Sequence, residues 1–350
     1  MAKNSDAADS PKRKKQAVHL NPNFTSMQFQ LPIHIPPFEP RIQHHESVML
    51  MGSCFTEHMA GFLQKSGFTV HQNAHGILFN PLSIVHALND IITNRTYTQA
   101  DLFFHNEYWH SWYHHSDFSF RNPEESLHAI NTSIAQFHEA LKNTSVLILT
   151  LGSAFAYRHR EQNIFVSNNH RAPHDWFNKE LLSITDIQTH LQRSVDALHA
   201  QNPSLRIVFT ISPVRHIRDG VIENNRSKAR LIEAVHALQN TYYFPAYELV
   251  MDVLRDYRFF DYDLVHPNYA ATRFVWEHFR ETYIAPNAKP LMEQMEQLYK
   301  ARFHKPKDSG SMAHQRFVAQ QAELCRSLQT EYPYLQLADF LQFFTQTPTN

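Results

Sequence analysis

The chain has little glycine, little cysteine and no excess of charge of either sign. Only seven of its 350 residues are glycine, and the phosphate-binding patterns GxxxxGK[ST] and GxGxxG do not occur. Lys and Arg total 32 against 33 Asp and Glu, so no strong field attracts nucleic acid or an anionic membrane. We therefore expect no cofactor, no nucleic-acid partner and no membrane partner.

The two cysteines, Cys54 and Cys325, lie far apart and form no CxxC or similar ligand pattern. This spacing argues against a disulfide scaffold and against a zinc site, and it favours a reducing compartment. No window of about 18 apolar residues is present, so we expect no membrane-spanning helix. The basic run at residues 12–15 is not followed by an apolar stretch of signal-peptide length. These features predict a soluble, cytoplasmic protein.

Composition divides the chain into three parts. Residues 1–26 are polar and basic, which predicts a disordered tail. Residues 27–285 alternate short β-rich apolar runs with segments of helical period. From residue 286 to 350 the chain is polar and has apolar residues at helical spacing, which predicts a helical C-terminal extension.

Five β-rich runs are bounded by turn residues within the middle part. Buried runs that alternate with helices are typical of a parallel sheet covered on both faces, and we therefore predict an α/β fold with three layers. The runs comprise residues 47–51, 69–72, 145–151, 205–211 and 241–244.

The turn after the first run is a candidate site for a nucleophile. In open α/β sheets the reactive crevice lies outside the carboxyl ends of the strands. Gly52, Ser53 and Cys54 stand between that strand and a predicted helix over residues 57–64. The N-terminus of the helix would favour a thiolate at Cys54 and an oxyanion nearby. The alternative is that Cys54 is a small buried side chain.

A candidate acid-base pair follows the last predicted strand. Asp263 precedes His266 by three residues, and Pro267 is expected in the first turn of a helix over residues 268–283. Such an aspartate can accept a hydrogen bond from imidazole Nδ1–H and leave Nε2 to act as a base. With 25 histidines in the chain the DxxH pattern alone is weak. Its place before the last helix of the sheet is what distinguishes this pair.

Residues 103–115 are rich in aromatic and imidazole side chains without clear periodicity, which suggests an insertion beside the mouth of the site. His110 and His114 have the i, i+4 spacing of a helical metal pair, but no third ligand is evident and we predict no metal. A polar and aromatic wall for a sugar-like substrate is favoured instead. Its candidates are His110, Trp112, His114, His115 and His170.

Four basic residues follow the fourth predicted strand. They are candidates for holding an anionic group, with structural salt bridges as an equal alternative. The four residues are Arg215, His216, Arg226 and Lys228.

Three segments resemble the bacterial GSCFA domain family. They are LMGSCFTE at residues 50–57, GILFNPLS at 76–83, and ISPVRH at 211–216 followed by ENNRSKA at 223–229. The resemblance covers roughly residues 28–285. That family is similar to the SGNH/GDSL superfamily of esterases, lipases and acyltransferases. The resemblance therefore implies a flavodoxin-like α/β/α domain with a five-stranded parallel sheet, a nucleophile at the first elbow and a late DxxH pair.

This chain departs from the superfamily pattern at two positions. A gapless alignment with GDSL places the nucleophile on Cys54, with Ser53 as the second candidate. The resemblance implies backbone oxyanion donors at Cys54 and Gly76. The third donor, an asparagine, falls on Ala154 and is missing. The side chains that stand as replacements are Asn73, Asn80, Ser153 and Asn224.

Together these features predict an SGNH-type esterase or O-acyltransferase that acts on acyl esters, in particular acetyl esters, of a carbohydrate-like substrate. Cys54 or Ser53, deprotonated by His266 with Asp263 behind it, would form an acyl-enzyme that water or a sugar hydroxyl resolves. The expected partner is a small-molecule or glycan ester. One alternative is a catalytically inactive carbohydrate-binding protein on the same fold. Another is a metal-dependent hydrolase that uses the histidine cluster.

Overall fold

A computed structural model describes residues 30–345. The predicted tail at residues 1–26 lies outside this range. Ten strands occur within it: β1 Ser47–Gly52, β2 Val70–Gln72, β3 Phe103–His105, β4 Tyr108–His110, β5 Thr144–Leu151, β6 Phe155–His159, β7 Phe165–Val166, β8 Phe177–Leu181, β9 Arg206–Ile211 and β10 Tyr242–Tyr243.

The described range also contains ten α-helices. They are α1 Phe55–Lys65, α2 Pro81–Thr93, α3 Pro123–Asn143, α4 Ile184–Gln201, α5 Val221–His236, α6 Ala246–Glu248, α7 Tyr269–Tyr283, α8 Lys289–Ala301, α9 Met312–Glu331 and α10 Ala338–Thr345.

The central sheet is parallel, with the strand order β10-β9-β5-β1-β2. This is the flavodoxin-like order that the resemblance implies, and each predicted strand is confirmed to within about two residues at either end. The chain first adds β2 on one side of β1 and then β5, β9 and β10 on the other. The switch between β1 and β5 therefore opens a crevice at the carboxyl ends of these strands.

Side chains of β1 alternate between two cores because successive residues of a strand point to opposite faces. Met49 and Met51 pack against α2, α3, α4 and α5, whereas Val48 and Leu50 pack against α1 and α7. All four side chains are fully buried. Both faces of the sheet are thus covered by helices, and the three-layer prediction is confirmed.

The start of α7 differs from the prediction. Asn268 is the N-cap, and its side chain accepts a hydrogen bond from the N–H of Ala271. Pro267 precedes this cap and does not occupy the first helical turn. The asparagine side chain determines the boundary because it satisfies an N–H that has no partner within the helix.

Two antiparallel sheets were not predicted. Strands β3 and β4 form a hairpin whose turn residues, Asn106 and Glu107, have φ of 48° and 68°, as in a type I′ turn. Strands β7, β6 and β8 form a second sheet. His110 belongs to β4, so the helical spacing assumed for His110 and His114 is wrong.

Helices α8, α9 and α10 enclose a cluster of their own around Leu298, Cys325 and Leu328. The predicted helical extension is therefore confirmed as a structural feature, and its boundary at residue 286 stays a prediction. Between residues 30 and 345 no helix has both the length and the apolar character needed to cross a membrane.

Gly52 ends β1 in a conformation that a side chain would obstruct. Its φ is +140°, and a Cβ atom there would lie 2.1 Å from the carbonyl oxygen of Thr150 on β5. Gly61, inside α1, has no neighbouring heavy atom within 4 Å of such a Cβ. The two glycines therefore form a matched pair for substitution.

We predict that Gly52→Ala lowers the free energy of unfolding by about 2–4 kcal/mol, because β1 and β5 must separate or the backbone must strain. Gly61→Ala should raise it by about 0.5–1 kcal/mol, since alanine favours a helix interior. Urea denaturation followed by circular dichroism measures both. Equal effects of the two substitutions would show that the backbone at Gly52 is not restrictive.

Candidate active site

The elbow after β1 separates the two candidate nucleophiles. Ser53 is fully buried, and its Oγ forms no hydrogen bond with any residue in the range 30–345. Cys54 is the N-cap of α1, with φ −54° and ψ −24°, and it is partly exposed. Of the two side chains, only the thiol reaches solvent.

The surroundings of Cys54 keep the thiol protonated at rest. Burial raises the pKa of the thiol above its ordinary value, and the carboxylate of Glu57 raises it further. The N–H groups of Phe55 and Cys54 and the side chain of Lys228 lower it to a smaller extent. A base is therefore needed to form the thiolate, which is the reactive form of cysteine.

The predicted pair of Asp263 and His266 is formed in the structure. The Nδ1–H of His266 donates to Oδ2 of Asp263 at 2.6 Å. The second carboxylate oxygen accepts from the backbone N–H groups of Val265 and His266 at 2.9 and 3.0 Å. The backbone N–H and then the imidazole of His266 lower the pKa of Asp263 to about 2. The carboxylate is thus held ready to orient the imidazole.

The loop that carries this pair is tightly closed. Leu264 has a φ of +58°, and the N–H of Asp261 donates to the carbonyl of His266 at 2.8 Å. The N–H of Arg215 donates to the carbonyl of Val265 at 3.2 Å, which attaches the loop to the segment after β9. The pair therefore lies at the same edge of the sheet as the elbow.

His266 faces solvent near the elbow. Its side chain is 46% exposed, and no hydrogen bond joins it to Cys54 in the structure of residues 30–345. Burial chiefly lowers the pKa of His58 on α1 and of His216, and charge on His266 lowers both further. The imidazole thus lies near both α1 and the segment after β9.

Two of the predicted oxyanion side chains have other partners. Asn80 is the N-cap of α2: its Oδ1 accepts from the N–H of Ser83 at 2.9 Å and its Nδ2 donates to Ser83 Oγ at 2.8 Å. Asn224 accepts from the N–H of His216 at 2.9 Å, and its Nδ2 donates to the side chain of Asn225 at 3.2 Å. Both amides hold backbone in place.

Gly76 and Asn73 belong to the turn after β2. The N–H of Gly76, an expected donor, is directed to the carbonyl of Asn73 at 2.8 Å. The side-chain Oδ1 of Asn73 accepts from the N–H of Gly52 at 3.1 Å, while its Nδ2 is buried without an acceptor among the described residues. Asn73 is therefore the candidate with a side-chain donor to spare beside the elbow.

Most of the predicted aromatic wall lies in the interior. Trp112 stacks on Phe103 with ring centroids 3.6 Å apart, and His114 stacks on His75 at 4.1 Å. His170 hydrogen-bonds the carbonyl of Ser111 at 2.8 Å. His110 bonds Ser119 Oγ at 2.7 Å and the carbonyl of His105 at 3.0 Å. These four side chains are buried, so in this structure they pack in the interior and do not line a surface that a ligand could reach.

His115, the fifth member of that wall, is half-buried. Its ring pairs with Asp117 at 3.0 Å. Its Cβ would lie 2.2 Å from a Cβ at Gly76, so it covers the turn after β2. Across residues 30–345, no group of three or more His, Cys, Asp or Glu side chains is arranged to hold a metal ion.

The basic residues after β9 have separate surroundings. The guanidinium of Arg215 lies over the rings of Phe260 and Tyr257, at 4.5 and 5.1 Å. Arg226 is exposed and pairs with Glu223 at 2.8 Å. Burial and then the charge of Lys228 lower the pKa of His216 to about 3. His216 is therefore neutral, and the four residues do not form one anion site.

Lys228 is one of the four basic candidates, but the sequence did not predict that it is buried at the ends of the central strands. It is 1% exposed, and its Nζ donates to the carbonyls of Gly152 and Ser212 at 2.7 Å each. A signal was present, because Lys228 precedes Leu231 by three and Val235 by seven residues, on the buried face of α5. A charged residue in such a stripe is uncommon.

We predict that the Asp263 carboxyl titrates at about 2 and that His266→Ala raises its pKa only in part, since the backbone hydrogen bonds remain. Because the folded-state pKa is depressed, the stabilising effect of this carboxylate is present above its unfolded pKa and is lost as the pH falls through about 2. Carboxyl ¹³C NMR shifts against pH measure the titration. An ordinary midpoint near about 3.9 in the wild type would contradict the geometry.

Comparison with known proteins identifies the family. The GSCFA family profile matches residues 47–279, and the profile of the C-terminal domain of GSCFA domain proteins matches residues 295–348. No curated protein sequence matches the chain significantly.

Two solved structures illustrate the remote similarities. A carbohydrate esterase family 3 protein from Talaromyces cellulolyticus is 11% identical, covers 71% of this chain and 98% of its own, and has a TM-score of 0.35. A family 3 carbohydrate esterase from Clostridium thermocellum is 10% identical, with coverages of 71% and 99% and a TM-score of 0.33. Similarities this remote assign no substrate or reaction. Because the first profile matches more than half of the chain, the protein belongs to the GSCFA family.

Proposed function

We propose that the protein is an SGNH-type esterase or O-acyltransferase that acts on acyl esters, in particular acetyl esters, of a carbohydrate-like substrate through an acyl-enzyme on Cys54. One observation carries this proposal. A partly exposed thiol at the N-terminus of α1 lies at the same sheet edge as the formed pair of Asp263 and His266. A nucleophile, a base and an orienting carboxylate are the parts that acyl transfer requires.

In the proposed first step His266 Nε2 takes the proton of Cys54 Sγ while Sγ attacks the ester carbonyl. Asp263 stabilises the imidazolium that forms. When the tetrahedral intermediate collapses, the carbon–oxygen bond to the leaving alcohol breaks and the imidazolium returns the proton to that oxygen. Water or a sugar hydroxyl then attacks the thioester by the same route. Cys54 and His266 are not hydrogen-bonded to each other in this structure. Catalytic hydrogen bonds are often long without substrate, so this separation agrees with the proposed role of His266 as the base.

Two donors support an oxyanion site. The N–H of Cys54, the N-cap residue of α1, forms no hydrogen bond with another residue of the described part of the chain. The Nδ2 of Asn73 has no acceptor there either. Donors at a helix N-terminus stabilise developing negative charge at an acyl oxygen. Asn73 would thus replace the asparagine that is absent at Ala154.

The loop before α7 supports a carbohydrate-like substrate. Tyr262 is fully exposed and adjoins Asp263, and Tyr257 on the same loop is also exposed. Exposed aromatic faces beside a reactive group are suited to stacking on sugar rings. In the proposed substrate wall, Tyr257 and Tyr262 therefore replace the aromatic and histidine side chains that the structure places in the interior.

A catalytically inactive carbohydrate-binding protein is the second candidate. The observation in its favour is that Ala154 offers no side-chain donor and that Cys54 is not hydrogen-bonded to His266 in the described structure. Loss of one oxyanion donor typically lowers the rate by about 10²–10³-fold.

We further propose that the chain functions in the cytoplasm, where reducing conditions would keep Cys54 as a thiol. The catalytic unit would comprise residues 27–285 and the helical extension residues 286–350.

We predict that Cys54→Ala slows hydrolysis of p-nitrophenyl acetate by about 10³-fold or more, because it removes the nucleophile. His266→Ala should slow it by about 10²–10⁴-fold. Ser53→Ala should stay within about threefold, since Ser53 Oγ forms no hydrogen bond that its removal would break. Initial rates measure these changes, and mass spectrometry of quenched enzyme detects an acetyl group on Cys54.

Cys325→Ala is the matched control, because that thiol is buried in the helical extension. A wild type that is inert while glycan binding persists would favour the binding protein. Activity that survives in Cys54→Ala but not in Ser53→Ala would move the nucleophile to Ser53. Addition of acceptor sugars distinguishes acyl transfer from hydrolysis by the product that accumulates.

A further inference from the structure

Lys228 is buried without a carboxylate partner. Its side chain is 1% exposed, and no ion pair between residues 30 and 345 includes it. Buried lysines are rare unless they are paired, because removing an ammonium from water is costly. The carbonyl oxygens of Gly152 and Ser212, each 2.7 Å from Nζ, are its hydrogen-bond acceptors. Two neutral carbonyls leave the charge itself uncompensated.

The amine of Lys228 lies beside the crevice at the carboxyl ends of the central strands. Gly152 follows β5 directly and Ser212 follows β9 directly, so Nζ lies below the carboxyl ends of two central strands. The neighbouring Ser227 accepts a hydrogen bond from the N–H of Ala154 at 2.7 Å. Consecutive residues of α5 thus hold the loop after β5, in which Ala154 offers no side-chain donor.

Cys54 is the titratable group that acts on this lysine. Burial lowers the pKa of Lys228 to about 7, and charge on Cys54 raises it. In return, Lys228 lowers the pKa of the Cys54 thiol. Hydrogen bonds place both groups at the carboxyl end of β5: the N–H of Ser53, next to Cys54, donates to the carbonyl of Thr150 at 3.2 Å, and the amine of Lys228 donates to the carbonyl of Gly152 at 2.7 Å.

We propose that the buried ammonium of Lys228 is the charge partner of Cys54, and that it balances the negative charge which the thiolate and then the acyl oxygen carry. An ammonium has three N–H groups. Two are directed to the carbonyls after β5 and β9, and the third has no acceptor among residues 30–345. Lys228 forms and breaks no covalent bond in this role, and the proton that leaves Sγ goes to His266. The inference rests on the proposed function in taking Cys54 as the nucleophile.

Other groups around the pair have defined charges. The carboxylate of Glu57 on α1 opposes the thiolate, and His216 after β9 is neutral because its pKa is about 3. The ring of Tyr247 on α6 lies 5.8 Å from Nζ, and burial raises the pKa of Tyr247. His266 stands on the solvent side. Lys228 is therefore the cation that faces Cys54 from within the protein.

The test uses full-length protein with Cys325→Ala, in which Cys54 is the single thiol. The rate of alkylation by iodoacetamide is measured against pH, because only the thiolate reacts. We expect Lys228→Met to slow alkylation about tenfold or more at about pH 6, where Lys228 with its pKa of about 7 is protonated, since an opposite charge nearby lowers a thiol pKa by about one unit or more. The rates of the two proteins should converge on the plateau at high pH, where both thiols are ionised.

Ser227→Ala is the matched control. It removes a hydrogen bond to the same loop without removing charge, and it should alkylate like the parent at every pH. Equal rates for the parent and Lys228→Met at about pH 6, where Lys228 is protonated, overturn the proposal. Equal slowing in Lys228→Met and Ser227→Ala, or slowing that persists on the plateau at high pH, also overturns it, because a loop movement then explains the change.

If Lys228→Met does not fold, the pairing is tested from the other side, by replacing Cys54 and measuring the pKa of Lys228. In the folded Cys54→Ser variant the pKa of Lys228, followed by the ¹³Cε NMR shift, should be lower than in the parent. An unchanged value overturns the pairing. Alkylation and NMR do not require ester hydrolysis. If the protein hydrolyses no ester but shows the expected changes in alkylation rate and in the pKa of Lys228, only the proposed function is contradicted. If it hydrolyses esters without those changes, only this inference is contradicted.

Discussion

The contact of Gly52 with the carbonyl oxygen of Thr150 determines where the chain leaves the sheet, and the site follows from it. A Cβ atom has no room at Gly52, so β1 and β5 stay paired to the last residue before the elbow. The same glycine accepts from the N–H of Leu78 at 2.9 Å and donates to Asn73 Oδ1. One residue thus ties β1, β5 and the turn after β2 together, and it places Cys54 at their common edge.

Two pairs of groups of different character meet at this edge. Asp263 and His266 are nearly half exposed, and backbone N–H groups of their own loop hold the carboxylate ionised. Cys54 and Lys228 are mostly buried, and carbonyl groups at the strand ends hold the amine. Solvent screens the first pair, whereas burial strengthens every charge of the second. The exposed pair is suited to moving protons and the buried pair to stabilising charge.

The many histidines largely serve packing. His75 donates to Asp90 at 3.0 Å, and Tyr97 donates to the same carboxylate oxygen at 2.7 Å. Burial alone would raise the pKa of Asp90, but hydrogen bonds from His75 and His86 lower it below its ordinary value, so the fully buried carboxyl stays ionised. His75 stacks on His114, and His86 on α2 stacks on Tyr113, in the segment after β4. Burial lowers the pKa of His75 and of His114, which allows both rings to pack as neutral aromatic side chains.

By itself the sequence determined the parallel sheet, its covering helices and the candidate pair of Asp263 and His266. Hydrophobic period and turn residues are local properties, and a DxxH loop places both of its partners within four residues. It did not reveal the antiparallel sheets around β4, because their short strands depend on partners elsewhere in the chain. Only the tertiary structure decided that Ser53 is buried, that the wall of His110 and His114 is interior, and that Lys228 is buried at the sheet edge that carries Cys54. Cys54 and Lys228 are more than 170 positions apart in the sequence, and the hydrogen bonds of Lys228 to the carbonyls after β5 and β9 place α5 at that edge.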